Sequence, residues 1–496
     1  MSEGRTIVFA GIDAITFLLS VSFITYVFLI VVPFFRHKAG PRGDGSAFGW
    51  HFLVPCLNEE LVIEGTVRCL IERFPSAHVW CVDDGSDDRT PHVLASLDRQ
   101  LERLHVVSRR LPDARRGKGE ALNAGWAALM SWLPPDTDAT RVIVGVADAD
   151  GELDPNCPDV IAGTDYFGDP RVDAVQVQVR IFTDWDVRGS LVDRARALLV
   201  RVQDMEFATL IAAMQLLRRH TGSVGMGGNG QFTRLSALNR IADQHGSPWH
   251  GALLEDFELG VHLLLTGGRN EFCNDTWVIQ QGLPTLRALV RQRSRWAQGQ
   301  MQCLRYLKPV LATPSISLTA ALEITYFLFL PWVQLFGSAL YFLAAVALVW
   351  VLVTGAGVGA YWSSGAWGLI PLFILFGLGP LMVWGPAYRA AVDRGITRRQ
   401  ALILGLAHWP YTYIHHMAVW WGFVRIARSQ HGWKKTGRVA RAPQPALALL
   451  GMSLAPAHAL GRFVTPSPRP LGTRWEVPGR LSVRLSPAAP ISGRIQ

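Results

Sequence analysis

A chain of 496 residues is too long for one small core and has room for two or three structural units. Its apolar fraction of 49% is high for a soluble protein, and a formal charge of +9 leaves three classes of partner: nucleic acid, an anionic membrane surface or phosphorylated substrates. The basic excess lies beside apolar segments and in the tail, and no nucleic-acid motif competes, so nucleic acid is excluded as the expected partner.

Residues 6–35 are apolar, with Asp13 the only charged residue, and exceed the roughly 20 residues a helical span needs. The segment ends in Phe34-Phe35-Arg36-His37-Lys38 rather than a small-residue cleavage site, which predicts a retained anchor. Its basic flank (Arg36, Lys38, Arg42) predicts that the domain after it is cytosolic. Six scattered cysteines without a C-x-x-C pair agree with a reducing compartment.

Residues 45–310 alternate short apolar runs with helical stretches, the pattern of an α/β sheet. Strands are predicted at His51–Pro55, Val79–Val82, Val106-Val107, Val142–Val146 and Val175–Arg180. The second runs into Asp83-Asp84-Gly85, and the fourth into Asp148-Ala149-Asp150. Acidic residues at the C-terminal ends of strands stand where open α/β sheets bind ligands. Two carboxylates of an Asp-x-Asp loop can share one hard divalent cation with diphosphate oxygens, although acidic turns are also common on surfaces. Lys118 opens a helix. Residues 191–217 predict an amphipathic helix, on the protein surface or along a membrane.

Gly227–Phe232 is a glycine-rich loop that fits neither a Walker loop nor a dinucleotide fingerprint; its glycines, Gly230 among them, let backbone approach a bulky ligand. Glu255 and Asp256 begin a helix, where acids also simply complement the dipole. Residues 291–300 form a basic, glutamine-rich helix just ahead of the second apolar block.

That block, 316–425, predicts three or four transmembrane and interfacial segments. Residues 316–353 fit two tightly connected helices or a single span, 369–384 fit a further span, and 401–424 are apolar but carry His408, Tyr411, Tyr413, His415 and His416. Glu323, Tyr326, Gln334 and the 408–416 stretch are candidates to line a channel, or to bond helix to helix. Residues 442–496 read as a basic, disordered tail.

Four motifs stand in order: Asp83-Asp84-Gly85, Asp148-Ala149-Asp150, Glu255-Asp256 and Gln292-Arg293-Ser294-Arg295-Trp296. Together they resemble the membrane-embedded, processive branch of glycosyltransferase family 2, with its poly-N-acetylglucosamine, cellulose, chitin and hyaluronan synthases. The resemblance implies a cytosolic GT-A catalytic domain, Rossmann-like, joined to a helical transmembrane bundle in the plasma membrane. It implies a UDP-sugar donor held by Asp83, Asp84, Lys118, Asp148, Asp150 and Arg295, with Mg²⁺ or Mn²⁺ on Asp148 and Asp150. Asp256, with Glu255 beside it, would be the catalytic base of an inverting transfer, and Gln292, Arg293, Trp296 and Gly230 would meet the acceptor. The product implied is a β-linked polysaccharide that the bundle exports. A single N-terminal span departs from several relatives and favours the alternative, one sugar added to a membrane lipid. A transporter or scaffold with a degenerate domain is the reading from another class.

Overall fold

The computed structural model describes residues 21–183, 189–251, 253–354 and 378–430. Its strands are β1 (Gly49–Cys56), β2 (His78–Asp83), β3 (Leu104–Ser108), β4 (Val142–Val146), β5 (Glu152–Leu153), β6 (Val172–Ile181), β7 (Gln231–Arg234) and β8 (Arg269–Gln280). Helix α1 is Val21–Arg36. Around the sheet stand α2 (Ile63–Arg73), α3 (Thr90–Asp98), α4 (Lys118–Trp132), α5 (Cys157–Ile161), α6 (Leu191–Met205), α7 (Ala212–Thr221), α8 (Leu235–His245), α9 (Glu255–Leu265) and α10 (Leu286–Gln302). Then come α11 (Leu307–Ala312), α12 (Leu318–Thr354), α13 (Gly379–Met382), α14 (Trp384–Ala391) and α15 (Arg398–Ala427).

One eight-stranded sheet orders the strands β3-β2-β1-β4-β7-β6-β8-β5. The first four are parallel, β7 runs antiparallel to both neighbours, and β8 pairs parallel with β6, so the sheet is mixed. Parallel strands covered on both faces need apolar residues at every position, which is why β1, β2 and β4 stand out as unbroken runs. Leu53, Trp80 and Val144 join a core with α4, while Phe52, Val54 and Cys81 join one with α2 and α3. Truncating a wholly buried residue such as Leu53 to Ala costs about 2–5 kcal/mol.

Strand β8 is not expected from the sequence. Arg269, Asn270, Glu271, Asn274 and Asp275 break its apolar pattern, and its register against β6 shifts between Val177 and Gln178. The predicted helix over 191–217 exists, but only its start is a surface element. It continues from α6 through a π-type turn (Glu206–Ile211) into α7, and its acids Asp204 and Glu206 are buried.

The apolar block differs most from expectation. Residues 318–354 are one uninterrupted helix that continues through Pro331, not two. Among the described residues, Leu318–Leu340 is the only helix long and apolar enough to cross a membrane, and Val21–Arg36 is a shorter apolar helix. Much of the expected span 6–35 and most of 369–384 lie outside the described residues, as does the whole tail 442–496. Helix α15, expected as a further apolar segment, divides its surface. Leu404, His408, Tyr411, Ile414 and Ala418 are buried, packing on α10 and α14, while Leu402, Leu406, Trp409, Tyr413, Met417 and Trp420 form an exposed apolar stripe. Trp384, Tyr388, Leu404 and Tyr411 share the core under the sheet, so α14 and α15 pack onto the sheet region instead of standing apart as a bundle.

Candidate active site

The parallel strands deliver their loops to one edge of the sheet, and a cleft of about 370 Å³ opens there, within the size range of ligand pockets. Asp83 closes β2 but turns inward, buried, with one oxygen accepting the Ser86 amide at 3.0 Å. Asp84 lines the cleft next to the end of β1, where its amide donates to the Cys56 carbonyl at 2.9 Å. One of its oxygens pairs with Arg109, the other is buried without a protein partner, and burial raises its pKa.

After β4, Asp148 lines the same cleft, and its amide donates to Asn229 Oδ1 at 3.1 Å. Asp150 sits behind it, buried, with Oδ2 accepting the Gln281 amide at 3.0 Å. Lys118, the first residue of α4, reaches across to Asp148 at 2.8 Å and to Glu255 at 3.8 Å. Burial works against the Lys118 ammonium, but the carboxylates of Asp148 and Glu255 outweigh it and hold its pKa above the ordinary lysine value.

Glu255 and Asp256 form the first turn of α9, where free backbone amides favour negative charge. Asp256 Oδ1 accepts the Phe257 amide at 2.7 Å. Burial and the neighbouring Asp256 charge nevertheless push the Glu255 carboxyl up to about 8, and burial also raises Asp256 against the pull of Lys118. Two close carboxyls beside a third, Asp148, hold one proton more readily than three charges. The glycine loop fits against them. Gly228 adopts φ +75°, and a Cβ there would lie 2.9 Å from Asp256 Oδ2 and 3.2 Å from Lys118 Nζ. Gly230, expected to meet the acceptor, is instead buried in the sheet, where a Cβ would collide with Val278 and Val177.

Helix α10 brings Gln292, Arg295, Trp296 and Gln300 to the cleft, a face with i, i+3, i+4 and i+8 spacing. Arg293 lies on another face and does not line the cleft, contrary to its expected place at the acceptor. It is buried in an ion pair with Glu206, and its Nη2 donates to Tyr411 Oη at 3.2 Å. Burial alone would raise the Glu206 pKa, but Arg293 and His415, 3.2 Å away, hold it down at about 2. The Arg293 guanidinium carbon also lies over the Trp296 ring, 4.4 Å from its centroid, and supports that side chain.

The apolar half of the lining comprises Phe207, Ile211, Met226, Leu254, Phe257 and Phe327, with the Phe257 and Phe327 ring centroids 4.6 Å apart. Phe327 belongs to α12. Arg218 also lines this half, and neither it nor Glu206 or Asn229 stands out in the sequence. Each depends on a partner dozens of residues away: Glu323 for Arg218, Arg293 for Glu206 and Asp148 for Asn229. A local cue existed for Glu206, an acid among the apolar neighbours Met205, Phe207 and Ala208. Glu323 and Tyr411, read as channel-lining or helix-bonding groups, bond to Arg218 of α7 and to Glu206 of the π-type turn.

Residues 49–299, from β1 to the cleft face of α10, match the model of the family described as "Glycosyltransferase like family 2". A β-monoglucosyldiacylglycerol synthase of Synechocystis sp. is 33% identical over 272 residues, 53% of this chain and 50% of the relative. A poly-β-1,6-N-acetyl-D-glucosamine synthase of Staphylococcus aureus is 26% identical over 260 residues, 52% of this chain and 55% of the relative. The chain spans about half the length of the curated relatives it matches. Among solved structures, a mannosyltransferase of Pyrobaculum calidifontis in complex with GDP-Man and Mn²⁺ superposes with a TM-score of 0.52 at 15% identity, covering 83% of this chain and 99% of that one. That likeness shows the fold, GT-A. With the match running from the first strand of the sheet to the helix that carries Arg295 and Trp296, this chain belongs to glycosyltransferase family 2.

Proposed function

We propose that this protein transfers a single hexose from a UDP-sugar, with inversion, to the free hydroxyl of a diacylglycerol-type lipid at a membrane surface. The observation that carries this reading is the shared wall. Phe327 lines the apolar half of the cleft and belongs to the helix segment, Leu318–Leu340, that qualifies as a span. Exposed apolar side chains on α1 (Phe28, Leu29), α12 (Leu322, Phe336) and α15 (Trp409, Met417) add a greasy exterior on the same chain. The 33% identity to a β-monoglucosyldiacylglycerol synthase supports the lipid acceptor and makes UDP-glucose the first donor to try.

In the mechanism, Asp256 takes the proton of the acceptor hydroxyl as that oxygen bonds to the anomeric carbon and the bond from that carbon to the diphosphate breaks. One base and no covalent intermediate give inversion. Arg295, also in the cleft, offers a planar guanidinium to the departing diphosphate. Trp296, held by Arg293, gives the sugar a flat apolar face. Lys118 keeps Asp148 and Glu255 together.

Even with one proton shared among Asp148, Glu255 and Asp256, two carboxylates face the single Lys118 ammonium, so a diphosphate seated there would gain from added positive charge beyond Arg295. Asp148, with Asp150 anchored behind it, offers two carboxylates on one loop. Among the described residues no cluster of three metal-binding side chains closes a site. That fits Mg²⁺ or Mn²⁺ completed by substrate phosphates, which would neutralise the leaving diphosphate.

The test is radiolabelled UDP-glucose given to the purified protein in vesicles containing diacylglycerol. A single lipid-soluble product is expected, and Asp256→Asn should slow its formation about 10²–10⁴-fold. Near-normal turnover of that variant would remove Asp256 from the role of base. The processive reading retains one supporting observation, the Gln292–Trp296 helix at the cleft together with the similarity to a polysaccharide synthase. A ladder or high-mass smear in the same assay would establish it in place of the lipid product.

A further inference from the structure

Within the apolar half of the cleft, Arg218 is a polar side chain with hydrogen-bonding capacity to spare. It is 93% buried by its 7% exposure, and it lines the cleft beside Gly225 and Phe327. Its Nε donates to Glu323 Oε1 at 3.0 Å, and its Cζ lies 5.0 Å from the centroid of the Phe327 ring. Its Nη2 is buried with no hydrogen-bond partner in the protein. The neighbouring amides are engaged: Gln215 Nε2 donates to the Gly225 carbonyl at 2.7 Å, and Gln300 Nε2 to the Phe327 carbonyl. A buried N–H left unmade costs about 1–3 kcal/mol, so a donor kept in that state at a cleft wall points to a ligand that accepts from it.

Charge decides which ligand. Glu323 pairs with Arg218 and also accepts from Tyr26 Oη at 2.9 Å, so the guanidinium is already balanced. A phosphate at Nη2 would bring negative charge up to the Glu323 carboxylate in a poorly solvated pocket. An ester carbonyl accepts the N–H and brings no net charge. In a diacylglycerol that carbonyl lies only a few bonds from the hydroxyl to be glycosylated, and its acyl chain would continue along Phe327. Resting on the lipid-acceptor reading above, we propose that Arg218 Nη2 donates to an ester carbonyl of the acceptor and makes the enzyme selective for ester-linked over ether-linked glycerolipids.

The experiment compares 1,2-diacylglycerol with 1,2-dialkylglycerol, which keeps the hydroxyl and chains but lacks the carbonyl, using the full-length protein in vesicles with UDP-glucose. For the unmodified protein kcat/KM should favour the ester by about tenfold, as expected for one hydrogen bond to a charged group. Arg218→Met combined with Glu323→Gln, so that no carboxylate is left buried alone, should bring kcat/KM for the ester and the ether to the same value. Equal use of both lipids by the unmodified protein, a comparison that needs no variant to fold, overturns this proposal and leaves the lipid-acceptor reading standing. A preference for the ester that survives in the double variant also overturns it. If neither lipid is glycosylated and a high-mass glycan forms instead, both readings fall together.

Discussion

The Lys118 ammonium lies 2.8 Å from Asp148, so the first residue of α4 is tied to the loop after β4. The same nitrogen lies 3.8 Å from Glu255, and one cation therefore joins three separate pieces of chain around the charged end of the cleft. Replacing it with Met would leave Asp148, Glu255 and Asp256 facing one another with nothing between them. Lys118 opposes the upward shift of both Glu255 and Asp256, so their pKa values should climb further in its absence. The acid limb of the kcat/KM–pH profile of Lys118→Met should move to higher pH, with activity down about 10²-fold or more at neutral pH. An unshifted limb would show that Lys118 does not govern these carboxyls.

The Glu255–Asp256 pair sets a second pH dependence, in stability. Glu255 is pushed up to about 8 in the folded protein from an ordinary value of 4.5, so the folded state binds the extra proton between those limits. Stability therefore falls as pH rises from about 4.5 through about 8, opposite in sign to a salt-bridged carboxylate. Thermal unfolding in detergent, with chelator and without donor, should show this decline. Glu255→Gln should flatten it.

Gly228→Ala is a small change with a geometric consequence. The residue holds φ +75°, and the new methyl would sit 2.9 Å from Asp256 Oδ2 and 3.2 Å from Lys118 Nζ. Either the loop or the carboxylate must move, and misplacing a reacting group by about 1 Å can cost about 10²-fold in rate. The expected outcome is a protein that folds, with kcat lowered by that order. Unchanged kcat would mean the loop yields freely.

Arg293 makes the contrasting case, because its partners are structural. Arg293→Ala leaves the Glu206 carboxylate buried with only His415 and the Tyr411 hydroxyl beside it, at a cost of about 3–5 kcal/mol. Adding Glu206→Gln should restore much of the lost stability, as read by thermal unfolding. If Arg293→Ala instead weakened acceptor binding without destabilising the protein, the buried pair would not be its main role.

How much of the molecule is legible in its sequence depends on which interactions are local. The strand ends carrying Asp84 and Asp148 are legible because parallel strands buried on both faces have to be apolar throughout, and the acids begin where the burial stops. Gln292, Arg295 and Trp296 are legible as a motif. Helical spacing in the same motif separates Arg293 from them, since it falls one position off the face they share. Strand β8 is not legible, because its polar residues and register shift mimic a loop. The Arg218–Glu323 and Glu206–Arg293 pairs are beyond reach, being 105 and 87 residues apart along the chain with no periodicity linking them. The layout of the C-terminal helices escapes a sequence reading for a related reason. Their hydropathy reports apolar surface, but not whether lipid or the underside of a sheet covers it.

The position of Phe327 on both the cleft and the candidate span has a kinetic meaning on the lipid-acceptor reading. An acceptor entering along that helix never crosses bulk water, so the enzyme samples substrate in two dimensions. Its turnover should follow the mole fraction of diacylglycerol in the surface and stay constant when vesicles of fixed composition are diluted in buffer. Adding inert phospholipid to the same vesicles should slow it. The donor, arriving at the charged end of the same cleft, should obey ordinary bulk concentration, so two substrates of one reaction would answer to two different kinds of dilution.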